Sequence, residues 1–84
     1  MKLKVFSVYD SKAEAYLQPF FSTTLGMATR MFGDAVKDQQ HNFNKHAADF
    51  TLFQIGEFDD ENGLLVSVNK INLGCAIEYL NKEV

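Results

Sequence analysis

The residues after Met1, KLKVFSVY, alternate in character. Lys2, Lys4, Phe6 and Val8 fall on one face; Leu3, Val5, Ser7 and Tyr9 fall on the other. A period of two carried by Val, Phe and Tyr predicts a strand. Both faces hold apolar residues, so the strand is expected to be largely covered, with Lys2 and Lys4 near one end.

The alternation breaks at DSKA, where Asp10 and Ser11 can bond nearby amides and open a turn. Ser11 with Glu14 also fits a capping box, which allows one or two helical turns. Pro19 would end them, because the residue before a proline avoids the helical region. YLQPFFST reads better as a second strand, at a sheet edge or irregular at Pro19, which has no amide hydrogen. Phe20 or Phe21 is expected to anchor it, leaving Lys12 and Tyr16 nearer the surface.

TTLGMATRMFGDAVKD gives the clearest helical spacing. Leu25, Ala28, Phe32, Ala35 and Val36 form one apolar face, widened by Met27 and Met31. Thr23 or Thr24 supplies the cap. Gly26 and Gly33 each cost about 1 kcal/mol relative to Ala inside a helix, so a close approach of this helix to the sheet is expected. A polar connection, QQHNFNKHAAD, follows with Phe43 as its buried candidate.

Alternation returns in FTLFQIGEFD, with Phe50, Leu52, Gln54 and Phe58 on one face and Thr51, Phe53, Ile55 and Glu57 on the other. DENG predicts a turn, with Asn62-Gly63 able to take positive φ. LLVSV is the partner strand, completing a hairpin over residues 49–68. NLGCAIEYLNKE closes the chain as a helix capped by Asn72, with Leu73, Ala76, Ile77 and Leu80 as its stripe. Glu78 and Lys82 stand four apart in the favourable order. The order is β-β-α-β-β-α. It predicts a single α+β domain over residues 1–84: a small antiparallel sheet with helices packed on one face and the other face open.

Composition and charge narrow the function. Hydrophobic residues make up 46% and aromatics 13% of 84 residues, enough for a core and too much for a disordered chain. The net charge of −3 is not the footprint of a protein that grips nucleic acid by bulk charge. It permits stacking on a locally basic face. The one cysteine forms no intrachain disulfide, no signal peptide is visible, and no apolar run approaches a membrane span of roughly 20 residues. A cytosolic protein that does not enter membranes is expected.

Catalytic and metal patterns are weak. His41, His46 and Asp49 lack metal-motif spacing and read as solvated loop residues. Asp59, Asp60 and Glu61 read as an exposed turn rather than a calcium loop. Cys75 has no base beside it and reads as a small core residue. Phosphate-loop and dinucleotide motifs are missing. The expectation is a non-enzyme without cofactor or metal.

An aromatic and basic set remains. Phe6, Tyr9, Tyr16, Phe20, Phe21, Phe50 and Phe53 lie on the strands, with Lys2, Lys4, Lys12, Arg30, Lys37 and Lys45 on or near the same elements. Single-strand binders stack bases on aromatics and hold the backbone with cations. Most phenylalanines in so small a chain are core, so the tyrosines and lysines are the stronger surface candidates.

FSVYDSKAEAYLQPFF, LGMATRMF, NFNKHAADFTLFQIGEFDDENG and NLGCAIEYL together resemble the small non-structural protein of gokushovirus-type microviruses, phages with circular single-stranded DNA. The likeness spans nearly the whole chain. It implies a non-structural, DNA-binding protein of the host cytoplasm, acting in viral single-stranded DNA synthesis or its handover to packaging. The chain departs at KHAAD, where the family pattern has a proline. The loop there is either less rigid or begins a helical turn.

Two mechanisms follow. In one, Tyr9, Tyr16 and Phe21 stack on single-stranded DNA, while Lys2, Lys4, Lys12 and Arg30 meet phosphates. In the other, the protein is a homo-oligomeric interaction module. Its apolar face then pairs with a second copy or with replication, capsid or host proteins.

Overall fold

The computed structural model describes residues 1–81. Its elements, in chain order, are β1 (Lys2–Asp10), β2 (Ala15–Tyr16), β3 (Phe20–Ser22), α1 (Leu25–Lys37), α2 (Asn42–Lys45), a 3₁₀ turn (Ala47–Asp49), β4 (Phe50–Asp59), β5 (Leu64–Cys75) and α3 (Ala76–Leu80). The strands form one antiparallel sheet in the order β2-β1-β4-β5, with β3 beside β2 on the same edge of β1. This is an α+β domain with its helices on one face.

The core lies between sheet and helices. Phe6, Val8, Phe50 and Leu52 meet Ala28, Phe32 and Val36 of α1, Ala47 of the 3₁₀ turn, and Ala76 and Tyr79 of α3. Phe6 and Leu52 are fully buried. Phe20, rather than Phe21, anchors the second strand, with its ring stacked on Phe6 at 5.5 Å. Phe43 is half-buried and packs its ring on Phe32 and Phe50 at 5.3 and 4.7 Å.

The second strand is broken into β2 and β3 at Leu17–Pro19, where proline withholds a ladder donor. DSKA forms no helix. Asp10 Oδ1 accepts from the amides of Lys12 and Ala13, and Ser11 donates its amide to the Asp49 carbonyl. Glu14 turns the chain at φ +54° instead of boxing a cap.

Helix α1 begins at Thr24, whose Oγ1 accepts from the Met27 amide at 3.1 Å. Its buried stripe is narrower than the spacing suggests: Ala28, Phe32 and Val36 are buried, while Leu25, Met27 and Met31 are exposed. Gly33 admits α3 rather than the sheet. A Cβ there would meet Tyr79 Cδ2 at 3.4 Å, and one at Gly26 would meet nothing within 4 Å. The polar connection holds α2 and the 3₁₀ turn, so KHAAD takes the helical alternative.

Strand β5 runs on to Cys75, so Asn72 caps no helix; its Oδ1 accepts from the Gly74 amide. Helix α3 starts after Cys75, whose amide donates to Glu78 Oε2 at 2.8 Å. The Cys75 thiol is half-buried and donates to the Ala47 carbonyl. In α3, Ala76 and Tyr79 are buried and Ile77 and Leu80 are exposed, which shifts the expected stripe by one position. The proposed Glu78–Lys82 pair lies outside the described residues at Lys82.

One irregularity redirects a side chain. Along β1, Val5 pairs with Gly56 and Phe6 with Gln54, leaving Ile55 as an extra residue in β4. A bulge of this kind inverts the faces beyond it. Phe58 therefore pairs with Leu3 and joins the open face, not the face of Phe50 and Leu52.

Candidate nucleic-acid interface

The open face carries two aromatic groups. In the first, Tyr9 of β1 stands directly across from Tyr16 of β2, ring centroids 4.8 Å apart. Phe53 of β4 meets Tyr16 edge-on at 5.8 Å. Lys70, from β5 at the far edge of the sheet, extends its ammonium over the Tyr16 ring, 5.0 Å from the centroid. Tyr16 keeps 41% of its surface exposed.

In the second group, Phe21 of β3 meets Phe58 of β4 edge-on at 5.7 Å. Phe21 is 48% exposed. Beside it lies an open cavity of about 400 Å³, lined in part by Val5, Pro19, Ile55, Gly56 and Leu65. Between the groups Ser7 is covered, its Oγ donating to the Leu17 carbonyl at 2.6 Å.

The structure thus brings together three of the residues singled out in the sequence: Tyr9, Tyr16 and Phe21. The other four lie elsewhere. Lys2 and Lys4 alternate with Phe6 on the opposite face, directly across the ladder from Asp59 and Glu57. Lys12 sits in the β1–β2 turn and lines a polar cavity with Asp10, His46 and Asp49. Arg30 is exposed on α1, about 200° around the helix from buried Ala28. Phosphates held by all four cations would not lie along one path with bases on the tyrosines.

Lys70, Phe53 and Phe58 complete the face. Alternation set Phe53 on the face opposite Phe50 and Leu52, where it lies across from Ser7, but no sequence signal marks the bulge that turns Phe58 over. Lys70 belongs to the sheet because β5 continues through Asn72 and Gly74 to Cys75. With the helix expected from residue 72, it fell in a connection.

Among the described residues, no cluster of three or more His, Cys, Asp or Glu is placed to hold a metal ion. No helix of the described residues is long and apolar enough to cross a membrane. Tyr79, on the helical side, has its phenol pushed above the ordinary range by burial, with the Glu78 charge adding to it. Its hydroxyl donates to the Leu73 carbonyl at 2.6 Å.

A family model described as Phage ORF5 protein matches residues 3–79. The chain belongs to this phage family. The match covers β1 through most of α3, so both aromatic groups and Lys70 lie in the part that family membership describes. No curated protein and no solved structure matches the chain.

Proposed function

We propose that this phage protein is a non-enzymatic single-stranded DNA-binding protein whose binding surface is the open face of the sheet. The observation that carries the reading is the exposed Tyr16 ring, flanked by Tyr9 and Phe53 and covered by the Lys70 ammonium. Cross-strand pairing explains why the rings touch. It does not explain why a cation is held over an exposed ring on a protein of net charge −3.

A base stacked on Tyr16 would displace Lys70 from the ring towards the adjoining phosphate. Stacking contributes roughly 1–3 kcal/mol per base and tolerates any sequence. Phe21 and Phe58 offer a second stacking position on the same face. Duplex DNA hides its bases from such a surface, so single strands are preferred. With few cations on the face, affinity per monomer is modest and the salt dependence shallow.

The resemblance to gokushovirus-type microviruses gives this activity its place. Such a protein would coat or escort viral single-stranded DNA in the host cytoplasm, during its synthesis or its handover to packaging. Titrating a labelled oligonucleotide with protein tests the reading. Single strands should bind, duplexes should bind more weakly, and Tyr16→Ala should weaken the first.

A further inference from the structure

One row of the open face is hollow. Phe21, Val5, Gly56 and Ser67 lie side by side across β3, β1, β4 and β5, each paired with the next. Gly56 contributes no side chain, and Val5 is only 4% exposed. Strands lie about 4.8 Å apart, so Phe21 and Ser67 stand roughly 14 Å apart at the backbone, with a low floor between them. This hollow is the cavity of about 400 Å³ beside Phe21. Pro19, at the break in the second strand, closes it together with Ile55 and Leu65. Among the described residues lining it, Ser67 has the one polar side chain.

The hollow stands at a fixed distance from the first aromatic group. Tyr16 pairs with Tyr9 and Phe21 with Val5, so the two aromatic positions are four residues apart along β1. At about 3.3 Å per residue that is roughly 13 Å. Stacked bases are about 3.4 Å apart, so a strand that uses both positions unstacks between them. An unstacked base has a free edge. At Tyr16 it meets an exposed ring that takes any base. In the hollow it meets walls, and walls discriminate.

We propose that the hollow at Gly56 is a base pocket that prefers thymine, held against the Phe21 ring with its methyl group on Val5 and Ile55. The inference deepens the DNA-binding reading and rests on it. The edge of thymine that carries C5 presents a methyl group and the O4 acceptor. Cytosine presents an amino donor there and no methyl, and adenine and guanine present the N7 acceptor. An acceptor or amino group buried on Val5, Pro19 and Ile55 loses water without gaining a partner, which disfavours it. The thymine methyl needs no partner. Ser67, exposed at the far wall, supplies a hydroxyl for O4. Uracil has the same edge without the methyl, so comparing the two bases isolates the apolar contact.

The test is anisotropy of two labelled single strands of equal length, all-thymidine and all-deoxyuridine, titrated with the full chain at low salt. The thymidine strand should bind about fourfold more tightly, the worth of one buried carbon. Ser67→Leu, which fills the hollow from its exposed rim, should make the two affinities equal. Tyr16→Ala should weaken both strands and keep their ratio. Equal affinities with wild-type protein overturn the proposal. So does a ratio that survives Ser67→Leu or disappears in Tyr16→Ala. If Ser67→Leu does not fold, methyl NMR of the wild-type protein decides. The Ile55 signals should shift more at saturation with the thymidine strand than with the deoxyuridine strand, and equal shifts overturn the pocket. Flat anisotropy with both strands would reject the DNA-binding reading and the pocket with it, whereas equal, saturable binding rejects the pocket alone.

Discussion

Lys70 and Tyr16 come from opposite edges of the sheet, and the ammonium of one lies 5.0 Å from the ring centroid of the other. The contact spans the two central strands, passing over the region of Phe53. It joins the chain's most exposed tyrosine to a cation that can also reach a phosphate.

Replacing Lys70 separates these roles. Lys70→Gln should lower the slope of log affinity against log salt by about 0.7, the value for one phosphate on a single strand. Tyr16→Ala with Phe53→Ala should leave that slope nearly unchanged. It should cost roughly 1–3 kcal/mol of binding for each lost stacking partner. Anisotropy over a salt series reads both quantities.

Gly56 is fixed by backbone contact. A Cβ there would lie 2.6 Å from the Val66 carbonyl oxygen, across the β4–β5 ladder. Gly56→Ala should lower stability by about 1–3 kcal/mol through overpacking. The urea midpoint should fall with the slope unchanged.

Much of this architecture is legible in the residues, and the places where it is not share a physical cause. Alternation marks β1 and the β4–β5 hairpin, and 3/4 spacing with a threonine cap marks α1. Period-two reading assumes an unbroken ladder, so the extra residue at Ile55 moved Phe58 to the other face without any signal. Asn72 resembles a helix cap, but Gly74 at φ +117° delays the helix until after Cys75, an unusual capping residue. Arg30 and the amino-terminal lysines looked like one basic set because sequence distance does not show which side of the sheet a residue faces.

The core should be sensitive to truncation. Leu52 is fully buried between β1, β5 and the helices. Leu52→Ala should cost about 2–5 kcal/mol. A domain of this size has roughly 4–12 kcal/mol in total at about 0.05–0.15 kcal/mol per residue. The variant should therefore melt far lower, or be unfolded at 37 °C, by circular dichroism.

Tyr79 gives the fold an alkaline limit. Burial, and then Glu78, raise its phenol above the ordinary value of 10.0. A raised pKa in the folded state means that its stabilising contribution is full below about pH 10, the unfolded value. It is lost as pH rises above that towards the folded value. Tyr79→Phe should remove this part of the alkaline destabilisation, while losing the hydrogen bond to Leu73. Urea unfolding of both proteins at pH 8 and above pH 10 measures the difference.

The most direct test of the central claim is fluorescence anisotropy of one labelled oligonucleotide, single-stranded and then annealed, titrated with wild-type protein and with Tyr16→Ala/Phe53→Ala at low salt. The account predicts saturable binding of the single strand, weaker binding of the duplex, and a loss of about tenfold or more in the folded double variant. Flat anisotropy with wild-type protein, or unchanged single-strand affinity in the double variant, would contradict it.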